Sequence, residues 1–86
     1  MVYRIVYKKS VERDLKKLAQ AEVAKILDRI EKGLSRRPEA NPALKGQFTG
    51  LRKYRTGDYR VIYALLGEEV LILRISHRRE AYRRRI

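Results

Sequence analysis

The spacing of hydrophobic residues along the chain changes twice. Residues 2–7, Val-Tyr-Arg-Ile-Val-Tyr, are β-branched and aromatic and precede two lysines, which predicts a first strand. Apolar residues then recur at helical spacing in two sets that point roughly 110° apart on a helix of about 100° per residue. One straight helix cannot bury both sets against one sheet, so we expect a helical hairpin with a break near residues 19–22. The two sets are Val11, Leu15 and Leu18, followed by Val23, Ile26, Leu27, Ile30 and Leu34.

Individual residues predict where these helices begin and end. Ser10 is a favourable N-cap for the first helix, because its hydroxyl can accept a hydrogen bond from a free backbone N–H. Pro38 disfavours helical geometry at the residue before it, so the second helix should end within residues 33–37. Residues 38–50 contain two prolines and two glycines, which predicts a loop.

From residue 51 onward the pattern is typical of strands. Predicted strands cover residues 51–55, 59–65 and 70–76, with tight turns between them. Two hairpins in succession make a three-stranded antiparallel meander. The order β-α-α-β-β-β predicts an α+β fold in which the helical hairpin packs on one face of an antiparallel sheet. No repeat or composition shift divides the chain, so we expect residues 1–86 to form a single domain.

The first predicted hairpin brings basic residues together. If Gly57 and Asp58 are the central residues of a two-residue turn, Arg55 lies opposite Arg60. Lys53 then lies on the same face, two residues before Arg55. Opposed like charges destabilise a strand pair, which marks these three cations as a candidate anion-binding site. A three-residue turn would instead shift the register by one and direct the basic side chains separately into solvent.

The same register predicts which face of the sheet the helices cover. In it, an apolar patch continues from the three cations and consists of Ile62, Ala64, Leu71, Leu73 and Ile75. We expect the two helices to pack on this patch.

The charge balance indicates the class of partner. The 22 Lys and Arg residues exceed the 10 Asp and Glu residues by 12 charges, and a field this positive attracts polyanions, chiefly nucleic acid. Such a charge can also simply keep a protein in solution. The chain has no Cys and one His, so we expect neither structural zinc nor any other cofactor. No apolar run approaches the roughly 18 residues of a membrane span, and the start does not resemble a signal peptide, so we expect a cytoplasmic protein.

The closing segment is rich in arginine. Guanidinium groups bind phosphate bidentately and stack on bases, so this segment, with Tyr82 and Tyr59, suits the binding of single-stranded RNA. The alternative is a frayed basic tail without a fixed partner. The arginines are Arg74, Arg78, Arg79, Arg83, Arg84 and Arg85.

Motifs for several other chemistries are missing. The sequence has no Gly-rich phosphate loop, no cysteine nucleophile and no HExxH pair, and nothing in the spacing supports a Ser-His-Asp triad. What remains is a set of cations, tyrosines and one histidine. Such a set suits metal-free RNA cleavage, in which the 2′-OH attacks its own phosphate.

Two segments carry a family resemblance. Residues 53–63, Lys-Tyr-Arg-Thr-Gly-Asp-Tyr-Arg-Val-Ile-Tyr, and residues 73–82, Leu-Arg-Ile-Ser-His-Arg-Arg-Glu-Ala-Tyr, resemble the RelE branch of the RelE/ParE toxin superfamily. The resemblance implies a microbial-ribonuclease-like fold and an mRNA interferase that cuts messages in the ribosomal A site. It also implies a RelB-like antitoxin, encoded by a neighbouring gene, that wraps and neutralises the toxin.

The resemblance also implies site residues. Lys53 and Arg55 match two basic residues on the strand before the turn, and Arg60 matches the arginine after it. We expect Lys53 to serve as base, because the like charges of its arginine neighbours, Arg52 among them, favour its neutral form. Arg55 and Arg60 would hold the scissile phosphate.

The end of the chain supplies the remaining candidates. Tyr82 matches a closing tyrosine that stacks on or orients the substrate, and Arg78 or Arg79 matches a phosphate-binding arginine. Arg78, Arg79 and His77 are all candidates for the general acid. His77 is equally compatible with a structural role.

Two other functions fit the same fold. A ParE-like toxin would inhibit DNA gyrase without being an enzyme, although ParE toxins usually lack the basic pair before the turn and the closing Arg-Tyr set. A degenerate family member would only bind RNA or ribosomes. Because a fold does not determine a function, the chemistry of the site has to distinguish these possibilities.

Overall fold

Two helices pack on a four-stranded sheet in the computed structural model, which describes residues 3–44 and 50–77. The elements are β1 (Arg4–Tyr7), α1 (Lys9–Lys16), α2 (Gln20–Leu34), a 3₁₀ turn (Pro38–Ala40), β2 (Leu51–Thr56), β3 (Tyr59–Leu66) and β4 (Glu69–His77). The α+β class and the element order are therefore confirmed. The two helices are separated by residues 17–19, slightly before the predicted break. Neither helix within the described ranges is long and apolar enough to span a bilayer.

The sheet is mixed, whereas the sequence pattern predicted an antiparallel sheet, and its strand order is β1-β4-β3-β2. Strands β2, β3 and β4 form the predicted antiparallel meander. Strand β1 joins β4 in parallel, from the pair Arg4 and Glu69 to the pair Tyr7 and Ile72. The two helices form the long connection between β1 and the meander, which lets the chain return for a parallel pairing.

The helices cover one face of the sheet, which we call the helix face. Its core residues are Val61 and Tyr63 on β3 and Val70, Ile72 and Ile75 on β4, packed against Val11, Ile26, Ile30 and Leu34 of the helices. Ile62 and Ala64 lie on the other face and are partly exposed. The prediction that the helices cover the Ile62 patch is therefore wrong. Val61 and Tyr63, which alternate with Ile62, supply the buried surface on β3 instead.

A β-bulge in β4 divides the predicted patch, so that Ile75 alone of its residues lies in the buried core. Ile62 pairs with Arg74, and the next residue of β3, Tyr63, pairs with Ile72, so Leu73 has no partner in β3. The extra residue reverses the alternation of β4 from this point on. It brings Ile75 to the helix face and Arg74 to the opposite face.

Helix α1 holds this bulge along the edge of β4 that β1 leaves unpaired. The Ser10 hydroxyl donates a 2.6 Å hydrogen bond to the carbonyl oxygen of Leu73. One turn later, the buried Asp14 carboxylate accepts a 2.9 Å bond from the N–H of Ile75. The same carboxylate accepts bonds of 3.0 and 3.1 Å from Nε and Nη2 of Arg74. Side chains of α1 thus take the place of a further strand.

The expected helix cap at Ser10 is wrong. Helix α1 begins at Lys9, its N-cap is Lys8, and no side chain caps it. Ser10 lies in the first turn, where its hydroxyl bonds to β4 instead. A tertiary hydrogen bond has therefore replaced the local one, which sequence spacing alone does not reveal.

Helix α2 and strand β2 are in contact at Gly33. The ring of Tyr54 lies directly over this glycine, and the Tyr54 hydroxyl donates a 3.3 Å hydrogen bond to the carbonyl oxygen of Arg29. A Cβ atom at residue 33 would lie 2.5 Å from the Tyr54 hydroxyl oxygen and 2.8 Å from Cζ. The contact therefore requires glycine.

The hydrogen bonds that the Asp14 carboxylate accepts from β4 predict the effect of Asp14→Asn. We expect the free energy of unfolding to fall by about 1–3 kcal/mol, because the amide cannot accept all three bonds at a buried position. Asp28→Asn is the matched control, since Asp28 pairs with Lys32 on the exposed surface of α2. It should cost no more than about 0.5 kcal/mol. Urea unfolding measures both, and equal losses would contradict the assigned role of Asp14.

The contact between Gly33 and Tyr54 predicts that the effect of Gly33→Ala on the free energy of unfolding changes sign when Tyr54 is replaced. Gly33→Ala should lower the free energy of unfolding by about 1–3 kcal/mol, because the methyl group overlaps the Tyr54 ring. In a Tyr54→Leu background the same change should raise stability by about 0.5–1 kcal/mol, since Ala favours a helix over Gly. Denaturant unfolding of the four proteins tests this, and a loss of equal size in both backgrounds would refute it.

Candidate active site

The second face of the sheet, which we call the cationic face, carries the predicted basic cluster. Arg55 pairs with Arg60, and Lys53 pairs with Ile62. The turn between the strands consists of Gly57 and Asp58, and Gly57 has a φ of 60°. The two-residue turn and its register are thus confirmed, and the three-residue alternative is wrong.

The three cations line one shallow pocket of about 330 Å³. Lys53 and Arg60 are half-buried, whereas Arg55 is exposed. Asn41, Pro42 and Tyr54 complete the lining. None of the ion pairs within residues 3–44 and 50–77 involves the three cations, so no carboxylate there offsets their repulsion. The pocket therefore favours an anion with several oxygen atoms.

Residues 41–44 run along the outer edge of β2 and form one wall of this pocket. The N–H of Lys53 donates a 3.3 Å bond to the carbonyl oxygen of Pro42, and the N–H of Leu44 donates a 2.8 Å bond to that of Leu51. The sequence pattern predicted only a loop here and did not indicate Asn41 and Pro42 as pocket residues. No sequence signal would have identified them, because their position depends on this pairing.

Two side chains on the helix face hold the wall in place. Arg52 donates hydrogen bonds of 3.0 Å to the carbonyl oxygen of Glu39 and 2.6 Å to that of Asn41. Arg52 was expected to surround Lys53, and it instead occupies the opposite face with a structural role. The buried Tyr63 hydroxyl donates to the carbonyl oxygen of Pro38. Burial raises the pKa of Tyr63, so its phenol keeps the proton that makes this bond.

Of the candidate site residues near the end of the chain, the structure describes His77. Arg78, Arg79 and Tyr82 lie outside the described residues. His77 pairs with Tyr59 in the sheet, and the two rings meet edge to face, with centroids 5.2 Å apart and planes at 89°. Strand alternation places both on the side opposite Lys53. Within the described ranges, no three His, Asp or Glu side chains are grouped to hold a metal ion.

Comparison with known proteins adds to this geometry. The family described as "ParE toxin of type II toxin-antitoxin system, parDE" matches residues 5–82. Toxin RelG of Mycobacterium tuberculosis is 33% identical over an alignment of 87 positions, which spans 98% of this chain and 100% of RelG.

Solved structures of similar chains share this fold. A chain of the toxin–antitoxin complex RelBE2 from Mycobacterium tuberculosis is 30% identical, with a TM-score of 0.80, over 90% of this chain and 99% of that one. A chain of the archaeal RelE–RelB complex from Pyrococcus horikoshii OT3 is 31% identical, with a TM-score of 0.61, over 91% and 97%. The matched length and the shared fold leave one assignment: this chain belongs to the RelE/ParE family of toxins from type II toxin–antitoxin systems.

Proposed function

We propose that the toxin is an endoribonuclease, an mRNA interferase that cuts messages in the ribosomal A site. The observation that carries the proposal is the pocket of Lys53, Arg55 and Arg60, whose charges no carboxylate among the described residues offsets. Such a pocket suits a phosphate that gains negative charge during the reaction. The 33% identity to Toxin RelG over nearly the whole chain supports the same branch of the family.

The chemistry needs a base, an acid and stabilisation of the phosphorane. Lys53 acts as the base and accepts the proton of the 2′-OH, whose oxygen attacks the adjacent phosphorus. Arg55 and Arg60 bind the non-bridging oxygens and stabilise their extra charge. The bond from phosphorus to the 5′-oxygen breaks, and that oxygen takes a proton from the acid, which leaves a 2′,3′-cyclic phosphate and a 5′-hydroxyl.

The residues beyond β4 complete this proposal. Arg78 or Arg79 supplies a further phosphate contact and the acid, and Tyr82 stacks on a base. His77 is the weaker acid candidate, because it lies on the side of the sheet opposite Lys53. An arginine is a poor proton donor at neutral pH, so cleavage of free RNA is slow and the ribosome is needed to order the substrate.

The proposed protein partner is a RelB-like antitoxin. Similar chains have been solved in toxin–antitoxin complexes. A net charge of +12 favours an antitoxin with an acidic or amphipathic segment over the cationic face, since opposite charge relieves the self-repulsion of the toxin.

One alternative has a specific observation in its favour. The matching family description names ParE toxins, so inhibition of DNA gyrase without catalysis is the second candidate function. The basic pair Lys53 and Arg55 argues against it, because cleavage at a phosphate needs these cations, whereas inhibition by binding alone does not.

Replacement of Arg60 should separate activity from stability. We expect Arg60→Ala to lower the cleavage rate by about 10²–10³-fold, because a donor to the developing negative charge is lost. The fold should survive, since Arg60 is only half-buried and lies outside the core. Arg36→Ala removes the same charge from an exposed position after α2 and should leave cleavage unchanged. Mapping message ends in a purified translation system measures the rates, and full activity of a folded Arg60→Ala protein would place the site elsewhere.

A modified message tests the mechanism and the alternative together. A 2′-deoxy nucleotide at the cleavage position should block cutting without blocking binding, because it removes the nucleophile and keeps the phosphate. Gyrase supercoiling activity should not respond to the purified toxin. Intact messages with inhibited gyrase would overturn the proposal in favour of a ParE-like inhibitor, and intact messages with normal gyrase would indicate a degenerate binder.

A further inference from the structure

The wall of the cationic pocket is held from the other face of the sheet. Arg52 and Tyr63 are partners in the register of β2 and β3, and both lie on the helix face. Arg52 donates to the carbonyl oxygens of Glu39 and Asn41, and Tyr63 donates to that of Pro38. One cross-strand pair therefore binds three carbonyl groups of a single segment, residues 38–44, which we call the wall segment.

The wall segment passes around the outer edge of β2, from the helix face to the cationic face. Pro38 is fully buried near Tyr63, whereas Pro42 is exposed and lines the pocket. The backbone bond beside the pocket, from the N–H of Lys53 to the carbonyl oxygen of Pro42, is 3.3 Å long. This exceeds the roughly 2.9–3.0 Å that is typical of N–H···O bonds. The backbone thus attaches the segment only weakly at this point, and the side-chain bonds of Arg52 and Tyr63 add to its hold.

The wall segment makes the pocket concave. Lys53, Arg55 and Arg60 lie on two paired strands, and Asn41 and Pro42 supply the side that rises beside them. A concave site contacts more of a ligand than an open sheet surface does. The three cations keep their places through the pairing of β2 with β3, in which the wall segment takes no part. The position of the wall therefore determines how closely a ligand fits, and it leaves the arrangement of the cations unchanged.

We propose that Arg52 and Tyr63 are positioning residues for RNA binding. From the helix face, they hold the wall segment at the distance from Lys53 at which the pocket fits a phosphate of RNA with its ribose. This inference rests on the proposed function, since it takes RNA as the ligand of the pocket. Neither side chain touches the substrate. Loss of either one loosens the wall and weakens RNA binding, and the chemical step is affected little.

The first test measures binding to RNA that cannot be cut. The probe is a fluorescein-labelled 2′-O-methyl oligoribonucleotide of about eight nucleotides, a typical length for a single-stranded site. Its affinity is measured by fluorescence anisotropy at several salt concentrations. Arg52→Ala removes two bonds to the wall and one charge, whereas Tyr63→Phe removes one bond and no charge.

Two control variants match these changes. Tyr7→Phe removes a hydroxyl that bonds to Glu31, and Tyr7 lies on β1 at the opposite edge of the sheet from the wall. Arg13→Ala removes a positive charge from an exposed position on α1. Circular dichroism establishes that each variant is folded before its affinity is compared.

Arg52→Ala and Tyr63→Phe should each weaken binding about three- to tenfold, the range expected when hydrogen bonds that fix a binding surface are lost. The slope of log affinity against log salt should stay unchanged, because a lost phosphate contact would reduce it by about 0.7 and none is lost. At saturating message the cleavage rate should stay within about twofold of the native rate, as expected when ground-state binding alone is weakened. Tyr7→Phe and Arg13→Ala should bind nearly as the native protein does. Because Tyr63→Phe changes no charge, a general attraction to RNA predicts no effect for it.

Hydrogen exchange tests the hold on the wall without RNA. The N–H groups of Lys53 and Leu44 each donate to a bond between the wall segment and β2. Exchange at both, followed by NMR, should be faster in Arg52→Ala and Tyr63→Phe, because local opening of the wall becomes easier. The N–H of Ile75, which bonds to Asp14, should exchange at its native rate. Equal acceleration at all three amides would indicate a general loss of stability and would contradict the local role.

The outcomes separate the two proposals. Faster exchange at the wall, with weaker binding at an unchanged salt slope, supports the inference. If Arg60→Ala weakens binding but Arg52→Ala and Tyr63→Phe bind as the controls do, the inference is refuted and the proposed function stands. A reduced slope for Arg52→Ala, with native affinity for Tyr63→Phe, would show that Arg52 binds phosphate itself and would also refute positioning. If none of the three variants weakens binding, the pocket is not the RNA site and both proposals fail.

Discussion

The hydrogen bonds between side chains of α1 and the bulge of β4 determine how the rest of the molecule is arranged. Strand β1 covers only the first part of the edge of β4, and Ser10 and Asp14 satisfy the backbone groups that follow. The bulge that they hold divides the end of β4 between two faces: Ile75 completes the core, and Arg74 joins the cations on the other side. A short amphipathic helix thus stabilises the sheet, closes the core and orients a charged group with two polar side chains one turn apart.

The two faces of the sheet have opposite effects on the stability of the fold. On the helix face, Val61 and Tyr63 are fully buried in the core, and Gly33 allows Tyr54 to lie against the backbone of α2. The cationic face places Arg55 and Arg60 opposite each other, which weakens the hairpin. Apolar burial on one side offsets charge repulsion on the other. The site can therefore keep an electrostatic conflict that a two-stranded hairpin alone could not sustain.

The sequence predicted those features that depend on local chemistry. The turn at Gly57 and Asp58 determines the hairpin register, and this register is sufficient to bring Lys53, Arg55 and Arg60 together. The parallel pairing of β1 with β4 could not be predicted in the same way, since it joins segments far apart in the chain. The bulge at Leu73 has no signature in the residues around it, and without it the alternation of β4 assigns Ile75 to the wrong face. Asn41 and Pro42 were missed for a related reason, because their place beside the pocket depends on backbone pairing with β2.

The pairing of β1 with β4 has a consequence for the time at which the toxin acquires its structure. Arg4 and Glu69, which begin this pairing, are 65 residues apart, and β4 lies between β1 and β3 in the sheet. Contacts of such long range form late, because the chain must first lose the entropy of closing a large loop. A nascent chain that ends before β4 already contains Lys53, Arg55 and Arg60, but it lacks Val70, Ile72 and Ile75 of the core. The ribosome that makes this toxin therefore completes all three pocket cations before the chain can fold around them, and the cationic face forms only after β4 has been synthesised.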